Sequence, residues 1–271
     1  MISSHWETTV DLLHKRYQNA FPFPHIILDN FLEKACAERF LEEFPDPRAT
    51  SEWIYYVHVN EKKLGLNKYH LFPPHIRSTV EALNTPRFIA FLSRLTGVHG
   101  LEADKELEGG GLHQIERGGF LNIHADFTVH PHRRDWRRRV NVLIYFNKDW
   151  QESYGGHLEL WDKDMKQCVQ KIAPLFNRCV IFNTDPFSFH GHPEPLACPV
   201  DRQRKSLALY YFTKDANSFV RSTEYRSRPH ERVVIRLAIW ADKMTLRMYD
   251  AVKRRLGISD RAISKILRFL R

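Results

Sequence analysis

A β-sandwich or jelly roll braced by N-terminal helices is the fold class this sequence predicts, and three observations point to it. Helical periodicity dominates roughly the first hundred residues; from about residue 110, short runs rich in Val, Ile, Phe and Tyr alternate with Gly, Pro, Asn and Asp turns; helical periodicity returns near Val233. The chain has 271 residues, enough for one sizeable domain and an appendage, and its 43% apolar and 27% charged residues are an ordinary globular balance. A chain of this length removes roughly 70–75% of its unfolded surface from water, so neither disulfides nor a structural metal is needed for stability.

In chain order, residues 6–20 predict a short amphipathic helix and residues 22–28 an extended stretch. Asp29 and Asn30 are expected to cap a helix carrying Leu32, Ala35, Phe40 and Leu41, which Phe44-Pro45-Asp46-Pro47 stops. Two more helices are expected over residues 74–83 and 86–95, ahead of Thr96-Gly97. Strands are expected over residues 120–127, 140–146, 157–161, 179–182 and 206–212. Thereafter Val234, Leu237, Trp240, Met244, Met248 and Val252 recur at three- and four-residue spacing. Gly257 is expected to close that helix, and Ser259-Asp260 to cap another carrying Ile263, Ile266, Leu267 and Leu270. Two units result: residues 1–220, with helical support over 1–108 and a β core over 109–220, and a basic helical extension over 221–271.

The formal charge of +9 is concentrated in that extension, where fourteen Lys and Arg face five Asp and Glu, leaving 27 of each sign in residues 1–220. Such an appended positive surface suits solvent, an anionic membrane or nucleic acid. Its apolar stripe is wide enough to need burial, so packing on the core or in a homodimer through residues 233–271 is expected first and membrane-surface contact second. Cys36, Cys168, Cys179 and Cys198 lie far apart with no CxxC pair, which excludes a zinc-finger framework and argues against a disulfide scaffold. Mean hydropathy is −0.46, and no uncharged apolar run approaches the ~18 residues of a membrane span. Residues 1–7 lack a signal peptide's basic and apolar regions, so a soluble cytoplasmic protein is expected, peripheral to a membrane if the tail binds one.

The informative segment is Gly118-Gly119-Phe120-Leu121-Asn122-Ile123-His124-Ala125-Asp126-Phe127. On a strand, residues i and i+2 share a face, so His124 and Asp126 can converge on one metal ion. Two imidazoles and a carboxylate make the facial triad of non-haem Fe(II) oxygenases, which leaves positions open on the metal. His-x-Asp alone is common by chance and needs corroboration. Arg178-Cys179-Val180-Ile181-Phe182-Asn183-Thr184-Asp185-Pro186-Phe187-Ser188-Phe189-His190 supplies a third histidine, and Arg204-Lys205-Ser206-Leu207-Ala208-Leu209-Tyr210-Tyr211-Phe212 is a strand that opens with a guanidinium.

Five elements occur in order: the Gly-aromatic approach to His-x-Asp, the strand and turn Val142-Leu143-Ile144-Tyr145-Phe146-Asn147-Lys148-Asp149-Trp150, Gly155-Gly156-His157-Leu158, the late histidine, and the basic strand. Together they resemble the 2-oxoglutarate/Fe(II) dioxygenases in their prolyl-hydroxylase-like branch, over roughly residues 20–215. The resemblance implies a double-stranded β-helix (jelly-roll) core and, as metal-ligating and catalytic residues, His124, Asp126 and His190. It implies Fe(II), 2-oxoglutarate as cosubstrate, O2, and ascorbate as an accompanying reductant. The reaction implied is decarboxylation of 2-oxoglutarate to succinate and CO2 coupled to hydroxylation of a substrate C–H bond, with the substrate itself unspecified.

Within the resemblance, counting from Arg178 favours His190 over His192 as third ligand and leaves His192 a neighbouring or surface histidine. Family position favours Arg204 over Lys205 for the far carboxylate of 2-oxoglutarate; adjacent strand residues face opposite sides, so only one points inward. Tyr145 matches a tyrosine that helps hold the same carboxylate, and Gln114 a position that contacts the keto-acid end. His113, His130, His132 and His157 are expected to pack or face solvent. The run Arg133, Arg134, Arg137, Arg138 and Arg139 reads as a loop after the ligands, suited either to an anionic substrate or to pairing with Glu152, Glu159 and other carboxylates across the barrel rim. Two alternatives keep the fold: an oxidative nucleic-acid demethylase, and a catalytically silent module that binds through its basic loop and tail.

Overall fold

The computed structural model describes residues 2–215, 217 and 219–256. Its helices are α1 (His5–Thr8), α2 (Val10–Gln18), α3 (Lys34–Glu42), α4 (Pro74–Leu83), α5 (Pro86–Thr96) and α6 (Val233–Leu256). Its strands are β1 (His25–Leu28), β2 (Ile54–His58), β3 (Glu61–Leu66), β4 (Glu102–Ala103), β5 (Gly111–Ile115), β6 (Phe120–Ala125), β7 (Val129–His130), β8 (Arg133–Tyr145), β9 (Leu158–Trp161), β10 (Cys168–Ile172), β11 (Arg178–Asn183), β12 (His190–His192), β13 (Arg204–Lys214) and β14 (Glu224–Tyr225). The sheet runs β1-β11-β8-β13-β5-β3-β6-β12-β9-β10, with every described pairing antiparallel. It curls until distant strands meet: Phe182 on β11 packs edge-on against His190 on β12, ring centroids 4.7 Å apart. This is the jelly-roll core expected from the sequence.

Alternation assigns each strand two faces. Val140, Val142, Ile144, Cys179, Ile181, Leu207, Leu209 and Tyr211 point outward into one core with Leu13, Phe40, Val80 and Leu92 from α2 to α5. Phe40 stacks on Phe146 at 4.0 Å, and burying each such ring contributes about 1.5–3 kcal/mol. Tyr145, Leu158, Leu160, Val180 and Phe182 point inward into a second cluster. α5 starts as its sequence dictates: the Thr85 hydroxyl accepts from the Phe88 amide and Pro86 occupies the first turn. It stops at Gly97, whose φ of 70° is the left-handed closing conformation.

Several expectations are corrected. The helix after residue 29 begins only at Lys34, because Asn30 takes a left-handed turn (φ 55°) and the Asp29 carboxylate accepts from Arg178 at 2.6 Å instead of capping. The region expected to be purely helical support contains the β2–β3 hairpin, and β3 pairs with both β5 and β6. Residues 133–139 are not a loop but the first half of β8. The stripe of α6 is not packed: Leu237, Trp240 and Met248 are exposed. The helix expected over 259–270, with its cap, lies outside the described residues. No helix among the described residues is long and apolar enough to cross a membrane.

Candidate active site

His124 and His190 are directly paired across the β6–β12 ladder, both facing inward. Gly191 permits the close approach of the strands, since a Cβ there would lie 2.8 Å from the carbonyl oxygens of Leu121 and Asn122. Ligand atoms of His124, Asp126 and His190 all fall within 4.8 Å of one another. Each imidazole is oriented by a carbonyl two residues earlier: His124 Nδ1 donates to Asn122 O at 2.9 Å, and His190 Nδ1 to Ser188 O at 2.9 Å. A carbonyl can only accept, so the proton sits on Nδ1 and the Nε2 lone pairs are left for a metal. Those Nε2 atoms lie 3.7 and 3.6 Å from the Asp126 oxygens. Burial pushes His190 down to about 4, keeping it neutral.

Asp126 is held by two further groups. Asn141 Nδ2 donates to its Oδ2 at 2.8 Å, and Arg138 Nη2 forms an ion pair with the same oxygen at 3.1 Å. Arg138 also donates to Asn141 Oδ1 at 2.9 Å and lies over the Tyr210 ring at 3.4 Å. A register shift in the β8–β13 pairing, where Tyr211 opposes Val140 and Phe212 opposes Arg138, turns Arg138 onto the face that carries Asn141. Burial works to raise the Asp126 carboxyl, but Arg138 with His190 and His124 holds it well below the usual carboxylate range.

The inner face continues into a cationic cavity. Arg204 is buried; its Nε donates to Gly156 O at 2.8 Å and its Nη2 to the Tyr145 hydroxyl at 3.4 Å. No carboxylate among the described residues lies within ion-pair distance of it. Lys205 points the other way, over the Phe44 ring at 5.2 Å. Gly156 (φ 72°) shapes this corner, since a Cβ there would sit 2.5 Å from Leu196 Cδ2 and 3.1 Å from Arg204 Cδ. Tyr145 lies opposite Ser206 on the inner face.

Gln114 is not brought to the cavity. It is paired with Lys205 and Leu64, so it shares their outward face, whereas His113, paired with Ser206 and Gly65, faces in. His192 is not a surface residue: it is buried, neither ring nitrogen has a hydrogen-bond partner, and it feels the charges of Arg204 and Lys63. Burial, followed by the neighbouring Lys63, pushes His113 down to about 3, while burial and then Arg204 hold His192 well below the usual range. Lys63 pairs with Glu61 at 2.9 Å. Neutral imidazoles beside a lysine and an unpaired guanidinium make a cavity that calls for an anion.

The other expectations resolve simply. His130 is buried against Trp136 and Phe212, His132 lies near Glu108, and His157 pairs with Glu152. All four cysteines are free. Of the arginine run, three members pair with carboxylates as one alternative expected, Arg133 with Glu106, Arg137 with Asp215 and Arg138 with Asp126, the partners being other than Glu152 and Glu159. A return segment seals one edge of the site: Arg221 donates to Asp126 O and Pro186 O, and Tyr225, opposite His124 in the β14–β6 pairing, lies 5.5 Å from its ring.

Sequence reasoning missed Lys63, Asn141 and Tyr225, left Arg138 within a general basic run, and weighed His113 as a packing or surface residue and His192 as a competing ligand or a neighbouring or surface histidine. A signal existed for His192, which stands two residues from His190 as Asp126 does from His124. None existed for Lys63 or Tyr225, which arrive from elements outside the expected β core.

Residues 110–212 match the family model described as the 2OG-Fe(II) oxygenase superfamily. The prolyl 3-hydroxylase OGFOD1 of Mus musculus is 27% identical over 202 residues, covering 70% of this chain and 33% of that protein. Its Xenopus laevis counterpart is 24% identical over 189 residues, covering 66% and 33%. The chain thus spans about a third of the length of these curated relatives. A prolyl hydroxylase from Trichoplax adhaerens, solved with a hypoxia inducible factor peptide fragment, superposes with a TM-score of 0.57 at 19% identity, covering 77% of this chain and 91% of that one. A Pseudomonas putida prolyl-4-hydroxylase gives 0.56 at 17%, covering 76% and 100%. At such identities the two structures establish the fold.

Proposed function

We propose, on the premise that residues 110–212 form a 2OG-Fe(II) oxygenase core of the prolyl-hydroxylase-like kind, that this chain is an Fe(II)- and 2-oxoglutarate-dependent hydroxylase whose acceptor is a prolyl residue of a polypeptide. The observation that carries the reaction is the meeting of His124, Asp126 and His190 in one curled sheet with a buried Arg204 that has no carboxylate partner among the described residues. The acceptor class rests on the curated relatives, which are prolyl 3-hydroxylases.

The donors fit the groups the family uses. Two imidazoles that turn their Nε2 atoms to the site and one ionised carboxylate make an N,N,O set suited to Fe(II). Fe(II) and 2-oxoglutarate, when bound, supply the oxidation: dioxygen delivers one oxygen to succinate, formed with CO2 from 2-oxoglutarate, and the other to the acceptor as a hydroxyl. Arg204 holds the far carboxylate of 2-oxoglutarate with paired donors, and Tyr145 donates to the same group. His192 and His113 offer neutral polar edges around it, beside the Lys63–Glu61 ion pair. Asn141 and Arg138 keep Asp126 ionised and turned inward. Leu158, Leu160, Val180 and Phe182 wall the cavity against water, which strengthens each of these contacts.

The test combines protein, Fe(II), 2-oxoglutarate and air with a panel of proline-containing peptides, reading succinate and the peptide's mass. Peptide-dependent succinate release with a gain of one oxygen on proline supports the reading. Release that no prolyl peptide stimulates, with every peptide unmodified, removes proline as the acceptor.

A further inference from the structure

Helix α6 is mounted with its polar side toward the core and its apolar side toward solvent. On the inward side, Asp242 meets His58 Nδ1 at 2.8 Å and accepts from Asn60 Nδ2 at 2.5 Å, Lys243 pairs with Glu224 at 3.0 Å, and Arg247 pairs with Glu224 as well. Ile239 is the one fully buried apolar side chain among the helix residues whose side chains are described. On the outward side Val233, Leu237, Trp240, Met244 and Met248 fall at four- and three-residue steps, with exposures of 67, 60, 57, 38 and 70%. At 1.5 Å per residue this stripe is about 22 Å long. A contiguous apolar strip of that length, left in water, marks a contact surface.

Charge decides what the surface fits. Residues 221–271 carry an excess of nine positive charges over a neutral remainder. Arg232 and Arg236 are exposed in the first turns of the stripe, and none of the ion pairs found among the described residues uses them. Pairing the stripe with a second copy would bring two such segments together against their mutual repulsion. An anionic bilayer offers the complement to both features, apolar depth of about 5–10 Å for the stripe and negative headgroups for the arginines. Tryptophan near the middle of the strip is the residue type that favours this interface. We propose that α6 docks the protein flat on an anionic phospholipid surface, the cytoplasmic leaflet being the natural one.

Position ties docking to the site. α6 is held by the turn carrying His58 and Asn60 and by Glu224, the neighbour of Tyr225, which packs on His124. A bilayer bound to α6 therefore places the sealed edge of the site near the membrane surface.

The test is flotation of the full chain, without iron or 2-oxoglutarate, on phosphatidylcholine vesicles with or without phosphatidylserine. Its outcome is thus independent of the oxygenase reading. Flotation is expected only with phosphatidylserine. It should weaken at least tenfold in Leu237→Glu/Trp240→Glu and about fivefold for each arginine neutralised in Arg232→Gln and Arg236→Gln. It should also fall in ~1 M salt, where screening shortens to about 3 Å. These side chains are exposed, so unchanged thermal melting confirms that the variants fold. Absence of flotation, equal flotation without phosphatidylserine, or equal flotation of the variants overturns the proposal. So does a doubled mass in solution that Leu237→Glu/Trp240→Glu abolishes, which assigns the stripe to a second copy.

Discussion

His124 and His190 are direct partners across two antiparallel strands, with ring centroids 4.5 Å apart, and each gives its Nδ1 proton to the carbonyl two residues before it. The site is thereby fixed by backbone: the ladder sets the distance and the preceding carbonyls set the tautomers. What backbone does not fix is Asp126, which lies just beyond β6 and depends on side chains from β8.

Asn141→Ala and Arg138→Gln should therefore weaken metal binding without removing a ligand. Losing an outer partner of this kind costs about 10–100-fold in affinity. Anaerobic equilibrium dialysis against Fe(II) measures it; wild-type affinity in both variants would mean that Asp126 needs no such support.

The cavity was only partly legible in the sequence. His-x-Asp, the late histidine and the Arg204–Lys205 strand were visible because alternation puts His124 and Asp126 on one face and the order of the motifs resembles the 2-oxoglutarate/Fe(II) dioxygenases. Strand pairing was not, and it decides that Gln114 turns outward with Leu64 and Lys205 while His113 turns inward. The long reach of β8 was hidden by its arginines, which look like a solvated loop until their partners Glu106, Asp215 and Asp126 are known. Periodicity found α6 but could not tell which face meets the core, because that depends on His58, Asn60 and Glu224 from elsewhere in the chain.

His192 separates a binding role from a packing role. Replacing it with Leu removes two unpartnered buried nitrogens, so the melting temperature should hold or rise. The KM for 2-oxoglutarate should rise about tenfold or more, the loss of one hydrogen bond to a charged group being about 1.5–3 kcal/mol. A lower melting temperature with an unchanged KM would make His192 a packing residue.

Gly156→Ala tests the corner that holds Arg204. The new methyl meets Leu196 Cδ2 at 2.5 Å, and the positive φ of 72° is unfavourable for alanine by about 1–2 kcal/mol. Both a lower melting temperature and a higher KM for 2-oxoglutarate are expected, with metal affinity within about twofold of wild type, since no ligand moves.

Acid should destabilise the metal-free protein well above the carboxylate range. Burial places the folded-state His113 at about 3, against about 6.5 when unfolded. The unfolded chain thus binds the extra proton, so stability from this group is complete above about 6.5 and lost as pH falls toward 3, by up to ~1.4 kcal/mol per pH unit. His192, also depressed, adds in the same direction; Asp126, held below its unfolded value, contributes only below about 3.9. Melting curves between pH 7 and about 5 should slope downward, and His113→Gln should flatten them.

The central claim is that one curled sheet joins a metal triad to a buried guanidinium for a shared reaction. Succinate formed from 2-oxoglutarate in air, with and without Fe(II), tests this most directly in wild type, His190→Ala, Arg204→Ala and Lys205→Ala. The account requires iron-dependent succinate in wild type and in Lys205→Ala, whose side chain points away from the cavity, and none in the other two. Equal turnover in Arg204→Ala, or loss of it in Lys205→Ala alone, would contradict the account.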